Sequence, residues 1–275
     1  MRRLQSVAGY TILEAMIFLA ITGLLFTSAV VAIGGSQSQA QYSQAVRDFE
    51  SQIKSVINDV SSGFYPDYTG VVCTRSGDRV SFTSSDASSP GTSSACVNIG
   101  KTLLFYLEGA DDSFGVGTIV GLSPGLGDRP DLSIEALAPR LAYNVTNPAL
   151  DMTQLKPIRY GAQVTKIAAV NSPSRTYSSL SFIASFSSDL EATQQNGTLR
   201  TDVYAVPGSV QTTREQISFT DIELLATSAD RNRPGGYYIC LLTNDDKRAR
   251  VFVGVDGVVT ATGVEFDLDS GDICP

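Results

Sequence analysis

The chain has 275 residues, 43% of them hydrophobic and 17% charged, with a formal net charge of −8. It contains no histidine, which excludes Ser-His-Asp and Cys-His nucleophilic pairs and histidine-ligated zinc. No lysine–serine pair at a recognisable spacing replaces them, so the chain reads as a non-enzyme, and its acidic balance disfavours nonspecific binding to nucleic acid.

Two arginines, Arg2 and Arg3, open a short leader that ends at Gly9. Tyr10-Thr11-Ile12-Leu13-Glu14 follows, then an apolar run of 21 residues from Ala15 to Gly35. Only Thr22, Thr27 and Ser28 in that run are polar, and hydroxyls of this kind bond back to helix carbonyls. A helix of about 20 residues spans the ~30 Å hydrocarbon core of a bilayer. The run is too long for a signal-peptide core of roughly 7–15 residues. The basic end stays in the cytoplasm by the positive-inside tendency, and the rest of the chain lies outside. Glu14 is the one charge at the edge of this segment, and no other follows until Arg47. A carboxylate beside a membrane-length apolar stretch is expensive unless it has a partner.

The stretch Gly9-Tyr10-Thr11-Ile12-Leu13-Glu14 resembles the processing site of type IV pilins and pseudopilins. The resemblance implies cleavage by a prepilin peptidase between Gly9 and Tyr10, N-methylation of Tyr10, and Glu14 as the family's signature acid. Gly23 falls where many pilins carry a helix-softening glycine. Tyr10 departs from the usual phenylalanine. The match covers about the first 60 residues. Loss of Arg2 and Arg3 with the leader leaves 18 bases against 28 acids, a net charge of −10. Cleavage exposes an α-amino group four residues from Glu14. In a helical stack of subunits, Glu14 of one chain meets the amino terminus of the next and sets the axial register. The plainer alternative is a signal anchor whose Glu14 lies among lipid headgroups.

Beyond Gly34-Gly35, which loosen a helix, Tyr42, Val46, Phe49, Ile53, Val56 and Val60 recur at alternating four- and three-residue steps. That spacing predicts one apolar stripe on an amphipathic helix, with Arg47, Asp48, Glu50, Lys54 and Asp59 on other faces. Asp48–Gln52 and Glu50–Lys54 are four-residue pairs, the latter an acid ahead of a base. Ser61-Ser62-Gly63 and Pro66 end the helix. No proline interrupts residues 10–60, so one long helix is expected, its second half packed under a head.

The Ser/Thr/Gly/Pro-rich stretch from Ser81 to Ser94 reads as a loop. Residues 110–160 are rich in proline and glycine and form either a linker between helix and sheet or an added lobe. Strands are predicted at Leu103–Leu107, at Leu180–Phe186, at Ile217–Phe219 running into Ile222–Leu224 with a bulge, and at Tyr237–Leu242, Ala249–Val255 and Val258–Leu268. Asn244-Asp245-Asp246 and Asp256-Gly257 are turn signals between the last three, which therefore form an antiparallel meander. The fold class is α+β: a long N-terminal helix on an antiparallel β-sheet head, as in pilins. The domains are a leader over 1–9, the transmembrane and assembly helix over 10–62, and a β-rich extracytoplasmic head over 63–275.

Cys73, Cys96, Cys240 and Cys274 all follow the apolar run, where an even count reads as disulfides. Four cysteines allow three connectivities. Cys73–Cys96 and Cys240–Cys274 each close a modest loop, and the second resembles the C-terminal disulfide of many pilins. No CxxC pair marks a structural metal site. Asp267, Asp269 and Asp272 cluster near Cys274, and some pilins bind calcium near their C-terminus through hard carboxylate oxygens. Alternating acids on a strand edge also discourage edge pairing without any metal, and that reading is preferred, with no cofactor assigned. Arg231, Arg233, Lys247, Arg248 and Arg250 are local bases of the kind some minor pilins present to DNA. Charged loops flanking strands explain them equally, and nucleic acid is not the expected partner. Asn144-Val145-Thr146 and Asn196-Gly197-Thr198 match glycosylation sequons and carry little weight.

The resemblance implies a structural subunit of a pilus or pilus-like filament. Its partners are other pilin subunits, the prepilin peptidase, the pilus assembly machinery and the membrane through residues 10–35. It resides in the cytoplasmic membrane and then in an extracellular pilus. The rival is a secreted or anchored binding module, with Ser38-Gln39-Ala40 as a signal-peptidase site and a mature start at Gln41.

Overall fold

A single helix, α1, runs from Ile12 to Ser61 without a break at Gly34-Gly35. The structure, a computed structural model, describes residues 11–65, 71–76, 79–84, 96–105, 112–122, 137–142, 153–170, 172–184, 194–195, 198–199, 201–211, 236–243, 248–254 and 264–267. Two units are distinguished, residues 1–44 and residues 45–275.

Helix α1 ends in a Schellman motif. Gly63 adopts φ 68°, a left-handed conformation that glycine takes without steric penalty. The Phe64 N–H donates to Asp59 C=O at 2.7 Å and the Gly63 N–H to Val60 C=O at 3.1 Å, satisfying two terminal carbonyls. The Ser61-Ser62-Gly63 stop signal is thus observed as the cap itself.

The strands, in chain order, are β1 (Val71–Ser76), β2 (Arg79–Ser84), β3 (Cys96–Leu104), β4 (Ser113–Leu122), β5 (Arg140–Leu141), β6 (Gln154–Pro157), β7 (Gln163–Ala169), β8 (Ser172–Ala184), β9 (Gln194–Gln195), β10 (Thr198–Leu199), β11 (Thr201–Pro207), β12 (Tyr237–Leu242), β13 (Arg248–Val253) and β14 (Val264–Asp267). Among the described residues, ten of them form one antiparallel sheet in the order β14-β13-β12-β7-β8-β3-β4-β5, with β11 also on β8 and β6 also on β4. The pairs β1–β2 and β9–β10 stand as separate hairpins. The last three sheet strands are the expected meander. β12 has its predicted bounds, β13 starts one residue earlier and ends two sooner than predicted, and β14 covers Val264–Asp267 of the predicted Val258–Leu268, whose other residues lie outside the described ones.

Three sequence expectations are corrected. The described residues of 110–160 include three strands of the main sheet, β4, β5 and β6, rather than a linker or a separate lobe. Of the predicted Ser81–Ser94 loop, Ser81 to Ser84 are strand, paired with Val71 to Thr74 inside the β1–β2 hairpin, and the remainder lies outside the described residues. The strand predicted at Leu103–Leu107 is β3, which ends at Leu104 and starts at Cys96. The strands expected over 217–224 lie outside the described residues.

Both faces of the sheet centre are buried. On one face, Leu103, Leu180, Phe182, Val116 and Phe114 meet the helix stripe. Val46, Phe49, Ile53, Val56 and Val60 are all buried, as their spacing predicted, and Ala45 and Ile57 widen the stripe. On the other face Ile99, Leu104, Ile119 and Ile183 pack with Val206 from β11 and with Leu137 and Leu141. Glycines on β4 make room for that cover. A Cβ at Gly117 would run into Leu141 Cδ1, and one at Gly121 would sit 3.0 Å from Leu137 O.

Polar contacts fasten the helix to the sheet as well. Asp48 faces Arg159 at 3.7 Å, and Gln52 Nε2 donates to Pro157 C=O at 3.2 Å. The expected Asp48–Gln52 pair is therefore split between two partners on the sheet side, whereas Glu50–Lys54 forms as predicted, at 2.7 Å. Lys101 on β3 donates to Asp59 Oδ2 at 2.7 Å, with its side chain only 5% exposed.

Candidate functional site

The first turn of α1 is where the sequence concentrates its unusual chemistry. Thr11 is the N-cap: its Oγ1 accepts the Glu14 N–H at 3.3 Å, and its carbonyl accepts the Glu14 and Ala15 N–H groups at 3.1 Å each. A threonine followed three residues later by a glutamate is the capping-box pattern, so Thr11-Ile12-Leu13-Glu14 encodes its own helix start. This signal lies in the sequence on the same residues as the processing motif. Glu14 is exposed in the first turn, where the positive end of the helix dipole favours a carboxylate. Gly9 and Tyr10 lie outside the described residues.

Behind Glu14, Ile12–Val30 is a 19-residue stretch with mean hydropathy 2.0 and no buried side chains. It is long and apolar enough to cross a membrane by length and composition, a test that a membrane anchor and a signal sequence both meet. At about 1.5 Å per residue it spans ~28 Å. Its large side chains are bare on every side of the helix: Leu13, Met16, Phe18, Leu19, Leu24 and Phe26 are each at least 66% exposed. An apolar surface on this scale marks contact with lipid or protein. The three hydroxyls add no unmet polarity. Thr22 donates to Phe18 C=O at 2.9 Å, Thr27 to Leu24 C=O at 3.0 Å and Ser28 to Leu25 C=O at 2.8 Å. A Cβ at Gly23 would meet nothing within 4 Å, so this glycine makes room for no side chain within the chain itself.

The other sequence candidates fall elsewhere. Cys96 on β3 and Cys240 on β12 are not free thiols, and Cys240 is buried. The side chain of Cys73, on β1, and all of Cys274 lie outside the described residues. Asp267 closes β14, where the register sets it opposite Arg248; Asp269 and Asp272 lie outside the described residues. Among the described residues no three His, Cys, Asp or Glu side chains converge as a metal site would require.

The basic group is likewise divided. Arg231, Arg233 and Lys247 lie outside the described residues, while Arg248 and Arg250 sit on β13. Arg250 stacks over the Tyr238 ring at 4.6 Å and lies opposite Glu265, as Arg248 lies opposite Asp267. Asn144 and Asn196 lie outside the described residues.

Comparison with known proteins finds no family model, no curated protein and no solved structure that matches this chain.

Proposed function

We propose that this chain is a structural subunit of a type IV pilus or pilus-like filament, processed between Gly9 and Tyr10 and polymerised through α1. One observation carries the reading: a single helix is bare and apolar around its full circumference over Ile12–Val30, with a carboxylate in its first turn, and supplies core side chains to the head over residues 45–60. Bare helices bundle against their neighbours, and each Glu14 is neutralised by the amino terminus released on an adjacent chain. The head carries whatever contacts the fibre makes outside. The reading assigns no enzymatic activity and no cofactor. The pairings Cys73–Cys96 and Cys240–Cys274 belong to it as well.

The test is N-terminal sequencing of the chain co-produced with a prepilin peptidase in a bacterial membrane, followed by imaging of sheared fibres. A mature start at N-methylated Tyr10, with filaments that disappear in Glu14→Ala, supports the proposal. A start at Gln41, or Glu14→Ala filaments as abundant as wild type, rejects it; the former outcome would establish a secreted binding module instead.

A further inference from the structure

The uncharged part of α1 is longer than its membrane-length part. Residues 15–46, 32 in all, include no Asp, Glu, Lys or Arg. At about 1.5 Å per residue they make ~48 Å of helix, against the ~30 Å hydrocarbon core of a bilayer. In the next 15 residues, 47–61, five charges appear: Arg47, Asp48, Glu50, Lys54 and Asp59. The excess length is polar and neutral, since seven of the nine residues 36–44 are serine or glutamine. Gln37, Gln41 and Gln44 follow the i, i+4, i+7 spacing of one helix face, and all three are exposed in the single chain.

Neither water nor lipid accounts for this stripe. A helix face that stays in water carries charges, as residues 47–61 do. Side-chain amides left without partners are costly in hydrocarbon. A neutral, hydrogen-bonding protein surface suits them, and a copy of the same stripe is such a surface. An amide both donates and accepts, so it is complementary to itself, whereas a charged stripe would meet its own sign. The axial register agrees. Pairing Glu14 with the amino terminus at Tyr10 of the next chain offsets two parallel helices by four residues, ~6 Å. Gln37 and Gln41 are also four residues apart, so the same offset sets Gln41 of one chain level with Gln37 of the next. We propose that Gln37, Gln41 and Gln44 form an amide contact between copies of this chain, which continues helix packing beyond the apolar segment and fixes the axial position of the neighbour. Buried amides in helix bundles set register in this way. The inference rests on the filament reading above.

The experiment compares sheared fibres from full-length chains produced with the peptidase and assembly machinery. Gln37→Glu, Gln41→Glu and Gln44→Glu together are expected to cut fibre yield at least tenfold, with the amount of processed chain in the membrane unchanged. The same three changes at exposed head glutamines, Gln154→Glu, Gln163→Glu and Gln211→Glu, add equal charge and are expected to leave the yield within twofold of wild type. A chain with Gln37→Cys and Gln41→Cys, oxidised as fibres, is expected to give a ladder of covalently joined chains. Fibres of the first triple variant as abundant as wild type overturn the proposal, as do double-cysteine fibres that yield no joined chains. A wild-type chain that builds no fibres rejects the filament reading and this inference with it, whereas wild-type fibres that tolerate the three acids reject this inference alone.

Discussion

Phe49 on α1 and Phe114 on β4 meet edge to face, with ring centroids 5.2 Å apart and planes at 86°. Phe105 completes the group at 6.4 Å from Phe49 and 6.1 Å from Phe114. Phe49 and Phe114 are both fully buried, so this is where helix and sheet share a core. Truncating Phe49 to alanine removes the ring and leaves a cavity that neighbours on a rigid sheet cannot fill. The expected loss is about 3–5 kcal/mol of head stability, read by denaturant unfolding. Leucine in its place should lose less than half as much.

The β6–β7 connection contains a residue under backbone strain. Tyr160 and Gly161 have φ of 58° and 66°, and the Ala162 N–H reaches Arg159 C=O at 3.4 Å. These are the marks of a type I′ turn, which favours Asn-Gly. Glycine suits its position and tyrosine does not, since left-handed backbone costs an ordinary L-residue about 1–2 kcal/mol. Tyr160→Asn is therefore expected to stabilise the head by about 1 kcal/mol. A variant that melts below wild type would mean that the exposed tyrosine ring makes contacts worth more than the strain.

The stripe on α1 was legible because a helix in contact with a sheet imposes a 3.6-residue period on its apolar residues, no proline interrupts 45–60, and its charges fall off the stripe. The β12–β13–β14 meander was legible because turn residues punctuate it. Strand β4 was hidden: Gly115, Gly117 and Gly121 fall in the proline- and glycine-rich stretch that reads as a linker or an added lobe. Gly117 and Gly121 are tolerated because Leu137 and Leu141 press onto the sheet where their side chains would be. Lys101 was equally hidden. A lysine between Gly100 and Thr102 gives no local sign that it will be buried, because its partner Asp59 lies 42 residues away on the polar side of a helix. At the candidate site, the apolar length and Glu14 were visible, and so was the Thr11 cap, whose signal was overlaid by the processing motif on the same residues.

Burial raises the phenol pKa of Tyr42 and of Tyr65 well above the ordinary value of 10.0, because the phenolate is disfavoured away from water. The Tyr65 hydroxyl is buried without a hydrogen-bond partner. The folded chain thus holds both protons more tightly than the unfolded chain does. Their contribution to stability is complete below pH 10 and is lost as pH rises past 10 towards the folded-state values. A chain carrying Tyr42→Phe and Tyr65→Phe should show a flatter fall in melting temperature between pH 9.5 and 11.5, about the range set by the unfolded phenol. Identical slopes for variant and wild type would show that the phenols are not the groups responsible.

Strand order also bears on the disulfides. Cys96 on β3 and Cys240 on β12 are separated by β7 and β8, three strand spacings or about 14 Å, far beyond the roughly 7 Å between Cα atoms that a bridge tolerates. Cys73 lies on β1, which packs against β3. Asp267, Arg248 and Leu242 stand in one row across β14, β13 and β12, so the chain leaves β14 level with a point two residues from Cys240. The seven further residues to Cys274 reach up to ~23 Å when extended, more than enough to cross back over two strand spacings of about 10 Å. Peptide mapping without reductant should therefore recover Cys73 with Cys96 and Cys240 with Cys274. Each bridge should contribute about 3–4 kcal/mol, lost on reduction. Recovery of a Cys96–Cys240 peptide would contradict the strand order as well as the pairing, since no local movement brings β3 and β12 together.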